Sequence, residues 1–109
     1  MVIPYSDVEV KPMILGRNGD EGFRIHVKRK LRYPRAALDN NITGRVLFRF
    51  IVETDGSVSN IEILRSADPL LNHEAIRLIY LSNGKWKPGK QSGEPARVQI
   101  QSLVSFDSR

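Results

Sequence analysis

The sequence predicts an α+β domain, a two-layer sandwich in which helices pack on one face of a three-stranded antiparallel sheet. Two observations carry that expectation. Residues 44–66 alternate apolar and polar on both sides of a turn, the pattern of two half-buried strands folded back on one another. The flanking segments repeat apolar residues at helical spacing, which supplies the second layer that a one-sided sheet needs. A chain of 109 residues, 40% hydrophobic and 27% charged, suits one domain with a single core.

Residues 1–19 hold Pro4, Pro12, Gly16 and Gly19 without a sustained period. They are expected as a linker or loosely docked segment, with residues 20–109 as the domain; Val8, Val10 and residues 13–15 offer at most a short edge strand. Asp20 is a candidate N-cap for a first helix, whose apolar stripe is Phe23, Val27 and Leu31 with basic residues between. Pro34 ends that helix near Arg32 and opens a short helical turn over residues 34–40. In that turn Ala36, Ala37, Leu38 and Ile42 are expected to face the core.

The first strand puts Val46, Phe48, Phe50 and Val52 on one face and Leu47, Arg49, Ile51 and Glu53 on the other. Thr54-Asp55-Gly56 is the turn, because glycine accepts a positive φ and aspartate bonds its own backbone. The returning strand carries Val58, Ile61 and Ile63, and the slip in spacing after Val58 predicts a bulge. The second long helix starts at Asn72 as N-cap, with Leu71 and Ile76 as a hydrophobic staple, or at Asp68 before Pro69. Ala75, Leu78 and Ile79 form its buried stripe, and Asn83-Gly84 its stop. Trp86 is expected as a core plug and residues 90–95 as a polar loop. The last strand alternates Val98, Ile100, Ser102, Val104 and Phe106 against Arg97, Gln99, Gln101, Leu103 and Ser105.

Chemistry is sparse. With no cysteine, disulfides and thiolate ligands are excluded. His26 and His73 stand alone, outside any metal-ligand spacing; His26 is expected on the basic surface and His73 in the first turn of its helix. No serine sits in a nucleophile elbow, and the glycines of residues 84–93 match no phosphate-binding loop. Glu74 fits a helix N-terminus, where its charge meets the dipole. The residues read as a binding module with no catalytic group, metal or cofactor. A net charge of +5 and the cluster Lys28, Arg29, Lys30 and Arg32 suit an acidic partner or an anionic surface. Nucleic acid is not expected, because no exposed aromatic stripe accompanies the charge. No apolar run reaches the roughly 18 residues a membrane-spanning helix requires.

With these elements in order, the sequence resembles the C-terminal domain of the TonB family over residues 31–106. The resemblance rests on Tyr33-Pro34 followed by Ala37, on Gly44-Arg45-Val46 opening the first strand, and on Asp55-Gly56-Ser57-Val58 at the turn. Ile63-Leu64-Arg65-Ser66, residues 71–75 (LNHEA), Trp86-Lys87-Pro88-Gly89 and a final strand ending in Phe106 complete it. The stretch before Leu31 is similar to the versions in Bacteroidetes-type bacteria. The resemblance implies a TonB/TolA-like fold. It also implies a periplasmic location, with the full-length protein tethered to the inner membrane by a helix absent from this chain, which would then be a piece of a longer protein. Such domains capture the TonB box, a short extended segment of outer-membrane TonB-dependent transporters. They couple the proton-motive force, delivered by an ExbB/ExbD-type motor, to substrate uptake.

Carried onto this sequence, the family's peptide-binding edge is Arg97, Val98, Gln99, Ile100, Gln101, Ser102 and Leu103, and its second contact falls at Arg32, Tyr33 and Pro34. There the family often has a glutamine-proline motif and this chain has Lys30-Leu31-Arg32. An open edge also permits a strand-exchanged homodimer. The rival readings are a TonB-like domain of another membrane-anchored protein, a sensor peptidase or a TolA-like protein, and more remotely a basic nucleic-acid-binding module.

Overall fold

The computed structural model describes residues 1–107. In chain order the elements are β1 (Val2–Pro4), β2 (Met13–Ile14), β3 (Arg17–Asn18), α1 (Gly19–Lys30), α2 (Arg35–Asp39), β4 (Gly44–Val52), β5 (Val58–Ser66), a 3-10 turn (Pro69–Leu71), α3 (Asn72–Leu81), β6 (Gly89–Gln91) and β7 (Glu94–Phe106). The main sheet runs β1-β7-β4-β5, with β6 turned back on the start of β7. β4 lies antiparallel between β5 and β7 and aligns residue for residue with β7, from Gly44 opposite Phe106 to Val52 opposite Val98.

All three helices cover one face of this sheet, as expected of the α+β class. Val46, Phe48, Phe50 and Val52 from β4, with Ile100, Val104 and Phe106 from β7, meet Phe23, Ala37, Leu71, Ala75, Leu78 and Ile79 in one buried cluster. Phe23 is its centre: its ring lies 5.3 Å from Phe50, 5.9 Å from Phe48 and 6.1 Å from Trp86, centroid to centroid. The expected bulge in β5 is present, with register breaks against β4 and Asn60 at φ 50°. Gly56 at φ 86° is required twice over, since a Cβ there would also lie 2.4 Å from the Trp86 carbonyl oxygen. Asn72 is not the N-cap expected of it: it is the first residue of α3, Leu71 stands at the cap position and no side chain caps the helix there. The alternative start at Asp68 is used. The Asp68 carboxylate accepts the Leu70 N–H at 2.9 Å and caps the 3-10 turn, which runs on into α3 at Asn72.

Several local expectations are corrected. Residues 1–19 are packed rather than loosely attached. Val8, Pro12 and Ile14 are buried, Val10 and Met13 pair with Lys90 and Lys87, and β1 joins the sheet in parallel beside β7. A Cβ on Gly22 would lie 2.3 Å from the Ile14 carbonyl oxygen, so α1 leaves room for that segment only because residue 22 is glycine. Asp20 lies inside the first turn of α1, where its carboxylate accepts the Tyr5 hydroxyl at 2.9 Å. In α2 only Ala37 is buried, while Ala36 and Leu38 point outward, because five residues are too few to turn a wider face to the core. The expected polar loop at residues 90–95 is a hairpin. Ser92 at φ 53° and Gly93 at φ 80° form the two-residue turn whose twist suits paired strands.

His26 is also corrected: it is 3% exposed, stacked on Phe23 at 5.5 Å, and its Nε2–H donates to the Leu78 carbonyl at 2.8 Å. Burial pushes its pKa down; the Leu78 carbonyl opposes this, and Lys85, Lys30 and Arg77 add to the lowering. A histidine held neutral when folded binds its proton more readily in the unfolded chain, so stability is full above the ordinary value of 6.5 and falls as the pH drops below it. The urea midpoint is therefore expected to decline from pH 7.5 to pH 5.5, and His26→Gln should flatten that decline while lowering the midpoint overall. An equally steep decline in the variant would assign the pH dependence elsewhere.

Candidate interaction surface

A one-sided sheet of this kind has two edges, and what lies along each decides where another chain can add. β5 has no strand beyond it among the described residues. β7 is covered in part, because β1 sets Val2 opposite Arg97, Ile3 opposite Val98 and Pro4 opposite Gln99. The Tyr5 N–H donates to the Gln99 carbonyl at 2.9 Å, so the backbone groups of residue 99 point outward, away from β4. Backbone direction alternates along a strand, and β7 keeps its register with β4 without a break. Gln101, Leu103 and Ser105 therefore also aim their N–H and C=O groups outward, and no strand meets them among the described residues.

The sequence-derived edge thus divides. Arg97 and Gln99 have their outward groups under β1 and are not open; Val98, Ile100 and Ser102 turn their backbone groups to β4; Gln101 and Leu103 are free. Ser105 extends the free edge beyond the expected limit. The alternation that continues to Phe106 was the signal for it. The side chains sort independently of the backbone. Ile100 is buried under the helices and Val98 in a separate small cluster with Val8 and Ala96, whereas Gln101 and Leu103 are exposed on the opposite face.

On that opposite face Arg97 is engaged in an ion pair across the sheet. Its Nε and Nη2 donate to the two Glu53 carboxylate oxygens at 2.7 and 3.0 Å, and the Ser59 hydroxyl donates to the same group. The Arg97 guanidinium, with that hydroxyl, holds the Glu53 carboxyl below the usual carboxylate range. The pair ties β4, β5 and β7 together under the covered end of the edge and gives Arg97 a structural role.

Arg32, Tyr33 and Pro34 sit away from the edge backbone, at the junction of α1 and α2. The Tyr33 ring packs edge-on against Phe106 at 5.6 Å and its hydroxyl donates to the Ile42 carbonyl, while Pro34 caps the start of α2. Those contacts account for both residues as packing. The Arg32 side chain is exposed, but its N–H donates to Glu74 Oε2 at 2.7 Å. Glu74, 5% exposed, also takes a two-pronged contact from Arg77, whose Nη2 reaches the Lys30 carbonyl at 2.9 Å. This clamp of α3 on the end of α1 escaped the sequence reading, since nothing in the spacing of Glu74 and Arg77 announces partners more than forty residues away.

Between α1 and the free part of β7 runs a mostly apolar hollow of about 300 Å³, lined by Val27, Leu31, Leu103 and Val104 with Arg24 and Lys28 at its margin. Among the described residues no helix is long and apolar enough to cross a membrane.

The sequence and the fold both have known relatives. The family model for the Gram-negative bacterial TonB protein C-terminal matches residues 29–107. Two Protein TonB sequences from Helicobacter pylori, strains J99 and 26695, are each 39% identical over 54 residues, which is 49% of this chain and 19% of theirs. Among solved structures, the Helicobacter pylori TonB C-terminal domain superposes with a TM-score of 0.64 at 24% identity, covering 80% of this chain and 78% of that one. The Pseudomonas aeruginosa TonB C-terminal domain does so with a TM-score of 0.64 at 21% identity, covering 96% and 92%.

Proposed function

The chain belongs to the family of Gram-negative bacterial TonB protein C-terminal domains, and from that membership we propose that it captures an extended segment of an outer-membrane transporter by adding it as a strand to β7. The observation that carries this reading is the open run of outward backbone groups at Gln101, Leu103 and Ser105. Unpaired strand edges bond an incoming backbone almost without regard to its sequence, and alternate side chains then discriminate. The role is non-enzymatic. In the full-length protein the domain would sit in the periplasm, tethered to the inner membrane and driven by an ExbB/ExbD-type motor. The ligand would be the TonB box of a TonB-dependent transporter.

Fluorescently labelled TonB-box peptides from TonB-dependent transporters should bind the monomeric protein saturably. Failure of all of them in a sample shown to be monomeric would transfer the assignment to a TonB-like domain of some other membrane-anchored protein. A strand-exchanged dimer would hide the same edge, which is why the monomer must be established first.

A further inference from the structure

β1 occupies backbone groups that strand addition would use, and we infer that it is a removable cover: an incoming segment gains the whole β7 edge only when residues 1–4 come off. This inference rests on the strand-addition reading and adds a control to it.

β1 is held by little. It is three residues long and pairs in parallel, the weaker ladder per residue. Val2 and Ile3 are only half-buried and Pro4 is exposed. Ile3 is half-buried, on a small cluster of Val8, Ala96 and Val98 apart from the main core. Just beyond, the chain is fastened. The Tyr5 hydroxyl donates to Asp20, Lys11 donates to the Tyr5 carbonyl and lies over the Tyr5 ring at 4.8 Å, and Val8 and Ile14 are buried. The detachable part therefore ends at the Tyr5 ring, and its release leaves the domain intact. Short strands with few buried contacts open at a small fraction of the global unfolding free energy.

Release has a defined consequence. With β1 in place, Gln101, Leu103 and Ser105 are open among the described residues; without it, the outward groups of Arg97 and Gln99 join them in one continuous edge. A hollow of about 300 Å³ lined by Pro4, Tyr5, Ser6, Gln99 and Gln101 marks where β1 leaves β7. An incoming strand growing past Gln101 meets β1 there and must displace the Tyr5 N–H from the Gln99 carbonyl. A ligand that needs the uncovered state binds with an affinity reduced by the fraction of molecules uncovered.

The absence of native cysteine makes a lock simple. Pro4→Cys with Gln99→Cys joins facing positions outside the main core. Oxidised, this protein should bind TonB-box peptides about tenfold or more weakly than after reduction, and Ile3→Asp should bind more tightly than wild type. Equal affinity in the oxidised and reduced forms would overturn the cover. Hydrogen exchange without peptide supplies an independent reading: the Tyr5 amide should exchange about 100-fold faster than that of Ile100, which bonds to β4. Equally slow exchange at both would overturn the cover whether or not any peptide binds. Fast exchange at Tyr5 with no peptide binding in either state would instead contradict strand addition, and the cover would fall with it.

Discussion

Trp86→Ala is expected to destabilise the domain by about 3–5 kcal/mol, the usual cost of truncating a large aromatic in a core that cannot collapse around the gap. The indole is 5% exposed and lies 6.1 Å from the Phe23 ring and 6.0 Å from the Phe50 ring. It thus touches the helix and the strand that define the two layers. Its Nε1–H donates to Ser82 Oγ at 3.0 Å, and the Ser82 hydroxyl donates on to the Ile79 carbonyl at 2.6 Å, which locks the ring to the end of α3. Its backbone closes against Gly56 in the turn between β4 and β5. Truncation therefore opens a cavity where α1, α3 and the hairpin meet, and takes a partner from a buried hydroxyl. Trp86→Phe keeps most of the volume and should cost roughly 1–2 kcal/mol. Urea unfolding distinguishes the two. A loss below about 1 kcal/mol for Trp86→Ala would mean that the ring is no plug.

Leu103→Pro should abolish peptide capture while the fold survives. The Leu103 N–H points outward from β7, so proline there removes a donor from the free edge and takes none from the ladder with β4. The Leu103 side chain is 46% exposed on the face away from the helices, so little packing is lost. The proline ring also stands where an incoming carbonyl would lie. Affinity for a TonB-box peptide is expected to fall by about tenfold or more, with stability changed by about 1 kcal/mol or less. Proline at Gln99 would be a poorer probe, because the outward groups of that residue already belong to β1. A folded Leu103→Pro protein with wild-type affinity would remove β7 from the binding account.

Much of this was legible in the chain itself. The β4–β5 hairpin, its bulge and the last strand are written in period-two alternation that no helix could use, and Asp55-Gly56 marks the turn by chemistry rather than composition. The Trp86 plug and the stop at Gly84, φ 79°, follow from residue type. The N-terminal segment was not legible. A three-residue strand ending in Pro4 has no period, and it exists because residues 97–99 provide a partner more than ninety positions away. His26 had a weak signal, three residues after Phe23 on the same helical stripe, but the basic neighbours pointed to the surface. The limits of the free edge are not in the alternation, which says which face a side chain takes and nothing of which edge another strand has already claimed.

The central claim is that a partner strand adds along the free edge of β7, and an NMR titration of the isotope-labelled protein with a TonB-box peptide tests it most directly. The account predicts that the amides of Gln101, Leu103 and Ser105 shift and become protected from exchange, while those of Ile100 and Ser102, already bonded to β4, change less. Binding that perturbs β5 or the helices and leaves the β7 amides as they were would contradict it.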